Sequence, residues 1–246
     1  MRARQDEPLE VFTTNYDLLL ERAMEAIAAP YFDGFVGTYE GRFRPDLVDS
    51  AAPSADIFPP VRWIRLWKLH GSISWVRVDA PTPGTVVRRS GAPDKTPLAI
   101  FPSLQKYDES RRTPFVVLAD RLRRSLSVPE TLCLTIGYRF GDQHINEVLF
   151  DAATLHPSSE VVALFRDAAP EDVTKKALSI PNLSLFDARN ATIGGQTAGW
   201  EVANADTPFW ANGRFALGDF AMLARFLLLS VGRSEPERAD ERQVRR

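Results

Sequence analysis

A chain of 246 residues can bury a sizeable core, and one or at most two domains are expected of it. Hydrophobic residues make up 44% and charged residues 25%, an ordinary globular composition. Lys and Arg number 30 against 32 Asp and Glu, a net charge of -2, so no surplus of positive charge argues for wrapping nucleic acid.

Cys133 is the sole cysteine, which excludes an intrachain disulfide framework and a cysteine-based zinc cluster within this chain. Set between Leu132 and Leu134, it reads as a small buried hydrophobe. No run approaches the roughly 18 apolar residues that a membrane-spanning helix requires. The opening residues, among them Arg2, Arg4, Asp6 and Glu7, lack the apolar stretch of a secretory signal. The expectation is a soluble, cytoplasmic protein.

In chain order, Leu9 to Thr13 forms a short apolar run suited to a buried strand. Asp17 can cap a following helix whose apolar positions Leu20, Ala23, Met24 and Ile27 keep helical spacing, and Pro30 ends it. Residues 31–60, rich in Gly, Pro, Asp and aromatics, read as loops with one hairpin. Val61 to Leu69 and Ile73 to Val78 read as strands, and 80–97, with four prolines, as an irregular excursion. Leu98 to Phe101 reads as a strand. Phe115 to Leu126 reads as a helix, with Arg121, Arg123 and Arg124 on a solvated face.

The second half alternates more plainly. Strands are expected at Thr131 to Ile136, Val161 to Phe165 and Leu183 to Phe186. Helices are expected after Asp142, at Glu171 to Leu178 and at Phe215 to Leu229. Continuous apolar strands separated by helices imply a parallel sheet covered on both faces. The expected fold class is therefore α/β, a doubly wound and mainly parallel Rossmann-like sheet. Residues 1–232 form one domain in this reading, and 233–246 a charged, disordered tail. The five tryptophans, 63, 67, 75, 200 and 210, read as core or interface.

Ligands of open parallel sheets bind beyond the carboxyl ends of the strands, and three polar clusters sit there. Thr13-Thr14-Asn15-Tyr16-Asp17 joins a strand to a helix; by itself it is also what a tight turn with a capping Asp looks like. Lys68-Leu69-His70-Gly71-Ser72 puts a histidine and a glycine at a strand end, where a lone histidine is more often structural. Ile136-Gly137-Tyr138-Arg139-Phe140-Gly141-Asp142 offers a glycine for close backbone approach and a helix N-terminus, features general to nucleotide folds.

In order and spacing, the three together resemble the sirtuin-like superfamily. In particular they look like the bacterial sirtuin-like domains of phage-defence proteins, with their Thr-Thr-Asn-Tyr-Asp, His-Gly-Ser and Gly-Tyr-x-Phe-x-Asp motifs. The resemblance covers roughly residues 9 to 190. It implies that Asn15 lies beside the nicotinamide ribose of NAD and helps hold the attacking group. It implies that His70 is the general base on a ribose hydroxyl, and that Asp17 lies near the nicotinamide carboxamide. Thr14 goes with the cofactor-binding set, as do Gly137 and Tyr138 against the ADP-ribose backbone and Asp142 as the acid of the third motif. The chemistry is consistent with those residue types. Breaking the nicotinamide–ribose bond builds positive charge on the sugar, which a polar pocket stabilises, and an imidazole can accept a proton near neutral pH. No metal is required.

Two departures from the pattern shape the functional expectation. Sirtuin deacylases carry a four-cysteine zinc ribbon after the catalytic histidine, whereas residues 73–114 hold no cysteine, which favours NAD hydrolysis over protein deacylation. The family also opens on a strand, a glycine-rich phosphate turn and a helix, whereas only 12 residues precede Thr13 here and none is glycine. The expectation is an NAD glycohydrolase that depends on an N-terminal segment or partner chain for that unit. The alternatives are an inactive NAD- or ADP-ribose-binding or interaction module and, third, a deacylase. An effector domain, a partner protein and a homo-oligomer remain open as partners; neither a membrane nor a nucleic acid is indicated.

Overall fold

The computed structural model describes residues 8–49, 59–60, 62–79, 83–89, 97–99, 112–201, 207 and 209–232. The chain divides into two compact units, Met1–Ser125 and Leu126–Arg246. The charged tail expected at 233–246 lies outside the described residues.

In the first unit, β1 (Glu10–Thr13), β2 (Tyr31–Phe32) and β5 (Ile64–Lys68) form a parallel sheet in the order β1-β5-β2. Arg65, Leu66, Trp67 and Lys68 are all buried, so β5 is covered on both faces, as parallel strands usually are. Its two cations are therefore satisfied internally: Arg65 donates to the Pro59 carbonyl at 2.9 Å and Lys68 reaches Glu21 at 2.7 Å. Helix α1 (Leu19–Ala26) follows β1. Of its four expected apolar positions only Met24 is buried. Ile27 is 77% exposed, because the helix stops one residue before it.

A second, antiparallel sheet has the order β3-β4-β7-β6, from β3 (Phe35–Val36), β4 (Glu40–Phe43), β6 (Trp75–Val78) and β7 (Thr85–Arg89). The β3–β4 pair is the hairpin expected in 31–60, and the short helix α2 (Pro45–Val48) follows it. Strand β7 lies where the sequence reads as irregular; its buried Val86 and Val87 hold it between β4 and β6 despite the flanking prolines. Phe35 packs on Phe43 at 5.3 Å and on Trp75 at 4.9 Å between ring centres.

Helix α3 (Phe115–Leu126) has the expected bounds. Phe115, Leu118, Leu122 and Leu126 make one buried stripe. Arg121 is not on a solvated face: its guanidinium bonds both carboxylate oxygens of Glu10 on β1. The Glu10 carboxylate also accepts from Trp67 Nε1 at 2.9 Å and from Ser125 Oγ at 2.7 Å.

The second unit is built on a five-stranded sheet, β12-β11-β10-β9-β8. The strands β8 (Leu132–Ile136), β9 (Glu160–Leu164) and β10 (Leu183–Phe186) run parallel. Helices α4 (Gln143–Leu155) and α5 (Glu171–Ala177) connect them. The hairpin β11 (Asn190–Ile193) and β12 (Gln196–Gly199) extends the sheet in antiparallel fashion through Gly194 and Gly195, both at positive φ. Phe215 belongs to a further hairpin, β13 (Trp210–Ala211) and β14 (Arg214–Phe215), so the last helix, α6 (Phe220–Ser230), begins later than expected. Asp219 caps it through Ala221 N and Met222 N. Among the described residues, no helix is long and apolar enough to cross a membrane.

The Glu10 carboxylate joins β1, β5 and α3 of the first unit, and Glu10→Ala would strand the Arg121 guanidinium and the Trp67 indole N–H. The expected loss is on the order of 2 kcal/mol, the scale of hydrogen bonds to charged groups. A urea melt of the variant whose midpoint matches the parent would show that the cluster does not hold the unit together.

Candidate functional site

Strands β1 and β5 are parallel neighbours with Thr13 opposite Lys68, so the turns that follow them leave the same sheet rim side by side. Those turns carry the first two motifs. Past the ladder they stay tied: Leu69 N–H donates to the Thr13 carbonyl at 2.8 Å and Ile73 N–H to the Tyr16 carbonyl at 2.9 Å. Lys68 Nζ donates to the Asp17 carbonyl. Asn15 and His70 thus stand on adjoining strand ends, Asn15 exposed and His70 half-buried.

Within the first turn, Thr13 Oγ1 accepts from Asn15 N–H at 3.1 Å, and the Asp17 carboxylate accepts from Leu19 N–H at 3.0 Å. The backbone N-cap is Leu18 and not the expected Asp17, which sits one residue further out and bonds only the first helical N–H. Thr14, half-buried, sits between Thr13 and Asn15. In the second turn Gly71 has φ +79°, and a Cβ there would lie 2.3 Å from the Leu98 carbonyl oxygen. Residues 97–99 press against this turn: Gly71 bridges to Ala99, and Ser72 N–H donates to the Leu98 carbonyl at 3.2 Å. Of the strand expected at 98–101 this bridge is what the described residues contain; 100 and 101 lie outside them. Ser72 is fully buried, its hydroxyl 3.1 Å from that of Ser74.

The third motif occupies the carboxyl end of β8 in the second unit. Gly137 has φ +67°, and among the described residues nothing beyond the chain neighbours lies within 4 Å of where a Cβ would stand at Gly137 or Gly141. The loop between them is locked. Phe140 is buried in the left-handed region at φ 55°, and the Asn146 amide donates to its carbonyl at 2.8 Å. The Tyr138 hydroxyl lies 2.7 Å from Asn146 Oδ1 and 3.1 Å from the Asp142 carbonyl. Burial first, and then the Asp142 charge, push this phenol above its ordinary pKa, so it stays protonated and can donate. The Asp142 carboxylate caps α4, accepting from His144 N–H at 3.1 Å and Ile145 N–H at 3.4 Å.

Asn15, His70, Asp17 and Thr14 are thus brought to one rim of the first unit, while Gly137, Tyr138 and Asp142 form one loop of the second. Four further residues hold these turns: Thr13 and Lys68, which open the first two motifs but carry no role in that reading, and Glu21 and Asn146, which lie outside the motifs. Cys133 is half-buried, and desolvation pushes its thiol up to about 11, so it remains an unreactive thiol near neutral pH. Among the described residues, no group of three or more His, Cys, Asp or Glu side chains is placed to hold a metal ion.

The family model of the SIR2-like domain matches residues 9–185, a stretch holding all three motifs, and the chain belongs to that family. No curated protein matches it. SIR2-like membership gives the chain an NAD-related function. On the first unit's rim the residue types on offer are an exposed amide at Asn15 and a half-buried imidazole at His70.

The glycine beside His70 can be tested by itself. Gly71→Ala combines a left-handed backbone with a clash against the Leu98 carbonyl, and each such strain costs roughly 1–3 kcal/mol. The variant should melt several degrees below the parent. An unshifted thermal midpoint would mean that residues 97–99 do not press on this turn.

Proposed function

We propose that this chain is an NAD glycohydrolase domain, cleaving NAD with water to nicotinamide and ADP-ribose, and that it acts in bacterial anti-phage defence. The observation that supports this reading best is the stitched pair of strand-end turns that presents Asn15 and His70 on one rim. In the proposed reaction the nicotinamide–ribose bond breaks with its electron pair going to nicotinamide. The Asn15 amide holds the attacking water, whose oxygen bonds the anomeric carbon and whose proton passes to the ribose hydroxyl that His70 deprotonates. His70 accepts a proton from a ribose hydroxyl, and polar groups at the rim stabilise the positive charge growing on the sugar. Thr14 and Asp17 line the nicotinamide side, and Gly137, Tyr138 and Asp142 serve the ADP-ribose side.

The proposal includes dependence on a further segment that carries a glycine-rich phosphate turn. Strand β8 supports this. Its sequence, Leu132-Cys133-Leu134-Thr135-Ile136, has the continuous apolar character of a central parallel strand. Among the described residues it is nevertheless an edge strand, with Leu132 66% and Leu134 45% exposed. An uncharged apolar edge of this kind is a template for another strand. The second reading, a binding module without turnover, draws on the local use of the Asp17 and Asp142 carboxylates and the Tyr138 hydroxyl as caps and braces.

In the chain joined to its upstream coding segment or partner, Asn15→Ala should abolish nicotinamide release, and His70→Ala should slow it by about 10²-fold or more. Melts of both should match the parent. Turnover by Asn15→Ala at the parental rate would remove the catalytic assignment. Gly137→Ala separates enzyme from scaffold differently. Its left-handed backbone costs about 1–2 kcal/mol, while the added methyl enters open space. ADP-ribose affinity, by calorimetry, should fall at least tenfold; unchanged affinity would take Gly137 out of the binding surface.

A further inference from the structure

Beyond the Thr13–Lys68 pair the β1–β5 ladder has ended, yet the residues proposed to do chemistry lie beyond it. Something must hold the Asn15–Asp17 backbone against the strand that leads to His70. Lys68 stands there with its side chain only 2% exposed. Its ammonium reaches two acceptors on the first-motif side: the Asp17 backbone carbonyl and, at 2.7 Å, Glu21 Oε1 on α1. The Glu21 side chain is 13% exposed, and its other oxygen, Oε2, is buried without a hydrogen-bond partner among the described residues.

A buried ammonium and a half-satisfied carboxylate form a poor stabilising device. Desolvating both costs several kcal/mol per ion, and apolar side chains of equal volume often serve a core as well or better. What the pair supplies instead is geometry: a buried charged donor two residues before His70 that reaches the Asp17 carbonyl. We propose that Lys68 is a positioning residue for this site: its ammonium, neutralised by Glu21, grips the Asp17 carbonyl and fixes the Asn15 turn against the His70 strand. The inference rests on the proposed NAD chemistry for what is being positioned, but the grip itself is a property of the fold.

Removing Lys68 alone would leave a buried lone carboxylate and could unfold the unit. The test therefore uses the paired replacement Lys68→Met with Glu21→Met, which keeps length and apolar volume. Amide hydrogen exchange reads the grip directly. Ile73 N–H, bonded to the Tyr16 carbonyl across the two turns, should exchange at least tenfold faster in the variant, while Leu69 N–H, bonded to Thr13 at the ladder's end, keeps its parental rate. A merely structural pair would speed both equally or neither, and either result overturns the proposal. Should the double variant not fold, the parent decides. A buried, bonded Lys68 ammonium gives a slowly exchanging 15N–1H signal at neutral pH, and averaging of that signal with solvent would overturn the grip. In the active assembly, kcat for nicotinamide release should fall at least tenfold with KM little changed, the signature of lost orientation. If Ile73 exchange accelerates while the parent joined to its further segment releases no nicotinamide, Lys68 positions the turn and the NAD hydrolase reading is what fails.

Discussion

Because β1 and β5 run parallel with Thr13 opposite Lys68, two turns far apart in sequence begin at the same height on the same rim. Every other feature of the first unit's candidate site follows from that register. A slip of one residue would turn Lys68 away from Glu21 and reverse the faces of Leu66 and Trp67. The register is held from behind by Glu10, whose carboxylate on β1 takes the Trp67 indole of β5 and the Arg121 guanidinium of α3. The polar groups buried here act as locks on alignment, in a layer where apolar residues alone would fit several alignments.

Much of this was legible in the sequence where periodicity and caps agree. Phe115, Leu118, Leu122 and Leu126 share one helical face, and Asp142 precedes a helix with an apolar stripe; both elements stand where the pattern puts them. Strand β7 was hidden because prolines flank it, although Thr85, Val86 and Val87 are β-formers. The β11–β12 hairpin carried a usable signal in Gly194-Gly195, the dipeptide that a tight turn at positive φ requires. Phe215 looked helical because it is apolar, but it pairs with Trp210 in a hairpin and packs with Phe186 and Trp200, in the same cluster as Leu223 of the helix.

The site was legible by residue type and obscure by partnership. Asn15, His70 and Gly137 sit at strand ends, which a strand-by-strand reading finds. Lys68 looks like one more surface lysine until β5 is known to be covered on both faces, and only then does its need for Glu21, 47 residues away, become apparent. Arg121 was misread for the same reason: its partner Glu10 is brought near by tertiary folding, which helix periodicity does not report. Asn146 was overlooked because nothing local marks an asparagine in the first turns of a helix as the brace of the loop before it.

The loop after β8 shows how a polar motif can spend most of its side chains on its own architecture. Phe140 is held in a left-handed conformation that a non-glycine residue takes only at a cost. It is kept there by burial against Tyr138, Phe150 and Phe165 and by the Asn146 amide on its carbonyl. Tyr138 and Asp142 contribute by fixing the start of α4. With those groups committed, Gly137 and Gly141 are left as bare backbone, with no close neighbour outside the loop among the described residues. The side chains that make the motif recognisable thus build the loop itself, and Gly137 and Gly141 take no part in that bracing.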